Sequence, residues 1–290
     1  MKDKFTLFYS FDPGNGPFHN KLIDAEYFDW LFKQLAGTNT TFMYRMNVAG
    51  RCFYPSRLMA PFDHASVDYH NPKAQYWRKL AVMLEGCDPF AEAVRAARRH
   101  GVPIWAWWNW NEWQNVRPGY LDLVDRVWYD KPRKYWCTRD GSRFFCAVPD
   151  WGDPEVVERL LGLIDETLRY DIDGVYLSTR SHGWWACWPS PGWDKHLEPF
   201  GFNDSVVHAY RKRHGVDIRY EDYDEEQWLR IKGEQFSALL SRVGARTHQA
   251  RAEFVVGIQP HRYNLMVDHD LPEAHHSAAP FLRLYPAFPR

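Results

Sequence analysis

Short apolar strands alternating with capped helices constrain this chain more than any other feature. Five strand-like runs recur, at residues 5–11, 40–47, 103–109, 172–177 and 254–258. Each of the first four leads through a polar or aromatic loop to a helix start. Asp24 opens the first helix, which runs to Gly37. Asp88 precedes Pro89, with Phe90, Val94 and Ala97 at helical spacing and Gly101 as the stop. Asp153-Pro154 opens a helix carrying Val156, Val157, Leu160, Leu161, Ile164 and Leu168. Asn203 is read as the cap of 206–214, and Asp224 with Gln227 as a capping box opening a long helix to about Arg251. Strands joined by helices run parallel, with right-handed crossovers. The expected fold is therefore α/β, a (β/α)8 TIM-type barrel with five of its units legible and its C-terminal units missing. It spans 1–267, with an insertion near 128–150 whose Asp140-Gly141 pair makes a hairpin turn, and an irregular tail at 268–290 carrying four prolines.

The formal net charge of the chain is -1, so it carries no electrostatic footprint for nucleic acid or an anionic membrane. The basic cluster Arg95, Arg98, Arg99 and His100 falls at the end of a helix, where the helix dipole favours cations. The five cysteines, Cys52, Cys87, Cys137, Cys146 and Cys187, show no zinc spacing and read as reduced thiols. No leader-like or membrane-spanning run is legible, which predicts a cytoplasmic protein, or a secreted one if the true start lies upstream. Glycine-rich nucleotide loops and a nucleophile elbow are absent, so no cofactor is expected. Oligomeric state is open.

Chemistry in such a barrel gathers at the C-terminal ends of the strands. The third run, GVPIWAWWNWNEW at 101–113, holds five of the chain's 15 tryptophans, interleaved with amides and one carboxylate. Indoles stack on sugar rings and amides bond their hydroxyls, so this run reads as the floor of a carbohydrate site. Trp105, deep in the run, is expected in the core. Trp107, Trp110 and Trp113, with Trp184 and Trp185 after strand four, are the expected stacking platforms. Arg45, Asn47, Asn109, Asn111, Arg180, His182, Gln259 and His261 are the expected polar contacts to substrate. Glycoside hydrolysis needs two carboxyl groups flanking the scissile bond. Glu112 and Asp12 alone meet the strand-end criterion. Glu112, among indoles that would desolvate it, is the expected acid, and Asp12 its partner. Asp173 precedes strand four at the opposite end and reads as a turn residue. Asp268, His269, Asp270, His275 and His276 lack metal-site spacing, so no metal is expected.

The segments at 88–112, 150–182 and 201–243, beginning DPFAEAV, DWGDPEV and GFNDSVV, come in an order that resembles the family-10-like glycosyl hydrolase group of bacterial barrel proteins. The resemblance spans about residues 5–259. It implies a barrel acting on glycosidic bonds of poly- or oligosaccharides, with its aspartate–glycine pair on Asp173-Gly174 and its polar cluster on Asn109, Asn111 and Glu112. Where such relatives often carry an acid at the end of strand four, this chain has Ser178, Thr179 and Arg180. Two other readings stay open: a carbohydrate-binding barrel without a complete carboxylate pair, and a metal-dependent hydrolase using His182 and His261.

Overall fold

The computed structural model describes residues 6–14, 23–62, 74–111, 131–178, 187–188 and 200–257. The elements run, in chain order, β1 (Leu7–Phe11), α1 (Ala25–Leu35), β2 (Thr40–Arg45), β3 (Asn47–Val48), β4 (Arg51–Cys52), α2 (Ala74–Gly86), α3 (Pro89–His100) and β5 (Ile104–Asn109). They continue as β6 (Tyr135–Cys137), β7 (Phe144–Pro149), α4 (Pro154–Thr167), β8 (Gly174–Ser178), β9 (Cys187–Trp188), α5 (Asp204–His214), α6 (Glu225–Gln249) and β10 (Glu253–Gly257). One parallel sheet in the order β1-β2-β5-β8-β10 carries the strands expected from the sequence. Among the described residues the sheet is open, with β1 and β10 at its edges. No helix among the described residues is long and apolar enough to cross a membrane.

The period of two along each strand sorts side chains onto two faces. Phe42 meets Phe32 of α1 with ring centroids 4.6 Å apart, and Tyr44 meets Phe90 of α3 at 4.9 Å. Trp108 donates its Nε1 proton to Thr167 Oγ1 of α4 at 3.2 Å. These residues mark the face under the helices. The opposite, inner face carries Phe8, Arg45, Trp105, Trp107, Gly174, Tyr176 and Val255. Trp105 is buried as expected, but against Phe8 and the backbone of Gly174 rather than beneath a helix.

Local capping works as the sequence implies. The carboxylates of Asp24, Asp88 and Asp153 accept from Tyr27, Ala91 and Val156 N–H groups at 3.0, 3.0 and 3.2 Å. Such caps are worth about 1 kcal/mol each. Gly101 ends α3 at φ 66°, a conformation that costs glycine least. Two expected caps take different partners. Asn203 makes no side-chain cap: its amide group instead donates to Tyr135 O at 2.7 Å and accepts from Cys137 N at 3.3 Å, tying α5 to the hairpin. Asp224 caps Gln227 N at 3.2 Å, but its own N–H goes to Tyr210 Oη at 3.0 Å, so the reciprocal half of the capping box gives way to a tertiary bond. Helix α2 has no counterpart in the sequence reading.

The basic end of α3 is held by carboxylates as well as by its dipole. Arg98 bonds Asp171 at 2.7 Å and both oxygens of Asp173 at 2.9 and 3.0 Å, while Arg99 and His100 each reach Asp29 at 3.0 Å. Asp173 also accepts from Ile104 N at 2.8 Å. It is a structural anchor where β5 and β8 start, in keeping with its expected turn role.

The insertion supplies β6 and β7 of a three-stranded antiparallel sheet, β6-β7-β9, with the expected turn at Asp140-Gly141. It packs on α6, a 25-residue helix about 37 Å long. The join is aromatic: Trp136 meets Trp151 at 5.0 Å, and Trp151 stacks on Phe236 at 4.1 Å. Between these elements Lys232 is buried, its Nζ 3.9 Å from the Trp228 ring centroid and 4.2 Å from that of Trp136, donating to Phe200 O at 2.7 Å. Burial pushes its ammonium down to about 7, against the pull of the two indole faces. Cys52, Cys87 and Cys137 are free thiols.

Two outcomes test this packing. A Cβ added at Gly174 would lie 2.6 Å from the Trp105 indole, so Gly174→Ala should cost about 1–3 kcal/mol, read as a lower urea midpoint with an unchanged slope. Between about pH 7 and 10.5 the unfolded chain holds a proton on Lys232 that the folded chain lacks, so stability rises with pH across that window. Below it both states are protonated and this contribution is flat. Denaturation of Lys232→Met beside the native chain should show that rise abolished in the variant.

Candidate functional site

The C-terminal ends of β1, β2 and β5 bring together five of the residues singled out from the sequence. Phe11 anchors the end of β1 under the helices, and Asp12 follows it at the mouth. Asp12 Oδ1 accepts from Gly14 N at 2.9 Å, and its Oδ2 pairs with Arg45 Nη1 at 2.5 Å. Arg45, the last residue of β2, donates Nε–H to Asn47 O at 2.8 Å and lies 5.5 Å from the Trp107 ring centroid. Its register partner on β5 is Trp107, which explains that contact.

Asn47 does a strand's work with its side chain. The ladder between β2 and β5 ends where Met46 N donates to Trp107 O at 2.8 Å, because the chain then turns into the antiparallel β3-β4 pair. One position further, Asn47 Oδ1 accepts from Asn109 N at 2.9 Å while its Nδ2 donates to Asn109 O at 3.0 Å and Ala49 O at 3.2 Å. Asn47 is fully buried and Asn109 is 1% exposed. Both amides are thus parts of the sheet's end rather than groups held out to solvent.

Trp107 stays half-buried, whereas Trp110 is only 1% exposed and offers no open ring face. Its burial departs from the expectation of a stacking platform; the turn after β5 folds its indole inward. Asn111, in the same turn, is buried too. Among the described residues, three polar atoms here, Trp107 Nε1, Asn109 Oδ1 and Trp110 Nε1, are buried without a hydrogen-bond partner. Glu112, Trp113, Arg180, His182, Trp184, Trp185, Gln259 and His261 lie outside the described residues, as do the histidines and aspartates of the tail.

Tyr176 belongs to this face and was missed in the sequence. Its ring stands 6.5 Å from that of Trp107, edge to face, and a Cβ at Gly257 would fall 1.8 Å from its hydroxyl. Glycine there leaves the phenol its space. Burial raises the pKa of Tyr176, so it remains a neutral donor at ordinary pH. The period-two pattern Gly174, Tyr176, Ser178 was the available signal.

A second overlooked residue is Asp150, between the hairpin and α4. Ser205 Oγ and Gly152 N donate to its Oδ1 at 2.7 and 3.0 Å, and burial pushes its pKa up to about 6. It pins the insertion to the start of α5. Among the described residues, no group of three or more His, Cys, Asp or Glu side chains could hold a metal ion.

No family model and no curated protein matches the sequence. The fold is similar to the crystal structure of the catalytic domain of β-amylase from Paenibacillus polymyxa, with a TM-score of 0.55 and 10% identity over 95% of this chain and 71% of that one. An inactive double mutant of MUTB aligns with a TM-score of 0.38 and 12% identity over 90% of this chain and 47% of that one, too remote to carry an argument. At 10% identity the likeness to the first of these is one of fold alone, a parallel α/β sheet with helices.

Proposed function

We propose that the chain is a glycoside hydrolase built on a (β/α)8 barrel, related to the family-10-like group, that cleaves O-glycosidic bonds of a poly- or oligosaccharide. The observation that carries this reading is the convergence of Asp12, Arg45 and Trp107 at the C-terminal ends of three adjacent strands, in a fold like that of a β-amylase catalytic domain. Glycoside cleavage uses carboxyl groups beside a surface on which sugar rings stack, and Asp12 and Trp107 supply one of each at this mouth.

The two carboxyl groups divide the work. Both oxygens of Asp12 already accept hydrogen bonds, one from a cation, which suits an anion that stabilises an oxocarbenium-like transition state or activates a nucleophile. Proton donation then falls to Glu112, three residues beyond Asn109. Retention of configuration requires the pair about 5–5.5 Å apart, and inversion about 6.5–9.5 Å. Trp107 supplies a stacking surface, with Trp113, Trp184 and Trp185 as further platforms and Arg180, His182, Gln259 and His261 as polar contacts. The barrel occupies 1–267, the hairpin insertion borders its mouth, and 268–290 is a separate tail.

One observation favours a second reading, a carbohydrate-binding barrel without catalysis. Asp12 is committed to protein partners on both oxygens, and a working pair needs both carboxyl groups turned to substrate.

Release of reducing ends from a panel of plant and bacterial polysaccharides separates the two. The native chain should release sugar, and Glu112→Gln should lose about 100-fold or more in kcat while still binding the glycan. Asp12→Asn should lose activity comparably. Glycan binding by all three proteins with no sugar released by any would leave the binding reading standing.

A further inference from the structure

We propose that Arg45 and Asn47 are positioning residues, not substrate contacts: they form one hydrogen-bond relay that fixes Asp12 relative to the exit of β5. The kinetic consequence rests on the glycosidase reading; the relay itself does not. Its links are Gly14 N to Asp12, Asp12 to Arg45, Arg45 Nε to Asn47 O, and Asn47 to both main-chain groups of Asn109, at 2.9, 2.5, 2.8, 2.9 and 3.0 Å. Three strand ends that share no ladder at this level are joined by it.

The placement of each member excludes a simpler role. Arg45 is buried, with its Nε and one terminal nitrogen turned to protein acceptors and its Cζ 5.5 Å from the Trp107 ring centroid. Asn47 is fully buried, and its amide stands in for the strand neighbour that β2 ceases to provide once it turns into β3. A bidentate amide–backbone pair defines both distance and tilt. The position of the β5 exit, and with it the start of the segment bearing Glu112, is therefore set by the same atoms that hold Asp12. Misplacement of a reacting group by about 1 Å costs about 100-fold in rate, which is why such a relay would matter.

Amide hydrogen exchange tests the relay directly. In Asn47→Ala, exchange at both Asn109 and Gly14 should accelerate about tenfold or more, although Gly14 touches neither residue 47 nor residue 109, while Phe42 in the sheet keeps its native rate. Acceleration at Asn109 alone would overturn the proposal, since the contacts would then be independent. Should the alanine variant fail to fold, Asn47→Asp keeps the acceptor and removes the donations to Asn109 O and Ala49 O, and the same paired acceleration is expected. With a cleavable glycan, Asn47→Ala and Arg45→Ala should lose about 100-fold in kcat with KM nearly unchanged, and added ethylguanidinium should restore Arg45→Ala but not Asp12→Asn. A raised KM with native kcat would make both residues substrate contacts and sink the proposal. If the native chain releases no sugar, the glycosidase reading falls and the exchange result still decides the relay.

Discussion

Trp105 lies across the backbone of β8 because Gly174 has no side chain to prevent it, and the register of the central sheet depends on that contact. A slip of one residue would turn every side chain of β5 to the other face. With Trp105 inward, Trp107 and Asn109 also face inward and Trp108 goes under α4. Tyr176 and Ser178 follow from Gly174 in the same way. The carboxylate of Asp173 bonds Arg98 and Ile104 N immediately below, so register and strand ends are held together at the bottom of the sheet. Everything at the mouth inherits its height and facing from this junction.

The mouth and the insertion show two ways of burying polar groups. At the mouth, charges are paired and amides replace missing backbone partners, an arrangement that keeps geometry at low cost. Where the insertion meets α5 and α6, burial outweighs nearby charge for Lys232 and Asp150, and each moves toward its neutral form, the amine down to about 7 and the carboxyl up to about 6. The insertion is therefore joined to α5 and α6 by groups that titrate near neutrality.

Chemically, the arrangement separates holding from reacting. Arg45 and Asn47 are spent on other protein groups, and Asp12 is oriented by them. What remains open at the described mouth is the half-buried surface of Trp107 and the phenol of Tyr176, an aromatic pair with one neutral donor. Such a surface suits an uncharged, hydroxyl-bearing ring.

The helix starts at Asp24, Asp88 and Asp153, the stop at Gly101, the hairpin turn at Asp140-Gly141 and the succession of parallel strands were all legible in the sequence. Each arises within a few residues or follows from the chirality of strand–helix–strand connections, so local chemistry suffices to specify it. Asn203 and Asp224 mark the boundary: both had the composition of local caps, yet partners distant in the chain redirected part of their bonding. The same holds at the site. That Asp12, Arg45, Asn47, Trp107 and Asn109 would lie at strand ends could be read directly from spacing. That Arg45 would hold Asp12, that Asn47 would replace a strand, that Trp110 would turn inward and that Tyr176 would join the face depended on tertiary packing. Pattern and capping are properties of neighbouring residues, whereas the choice of partner for a buried polar group is made only when separate segments come together.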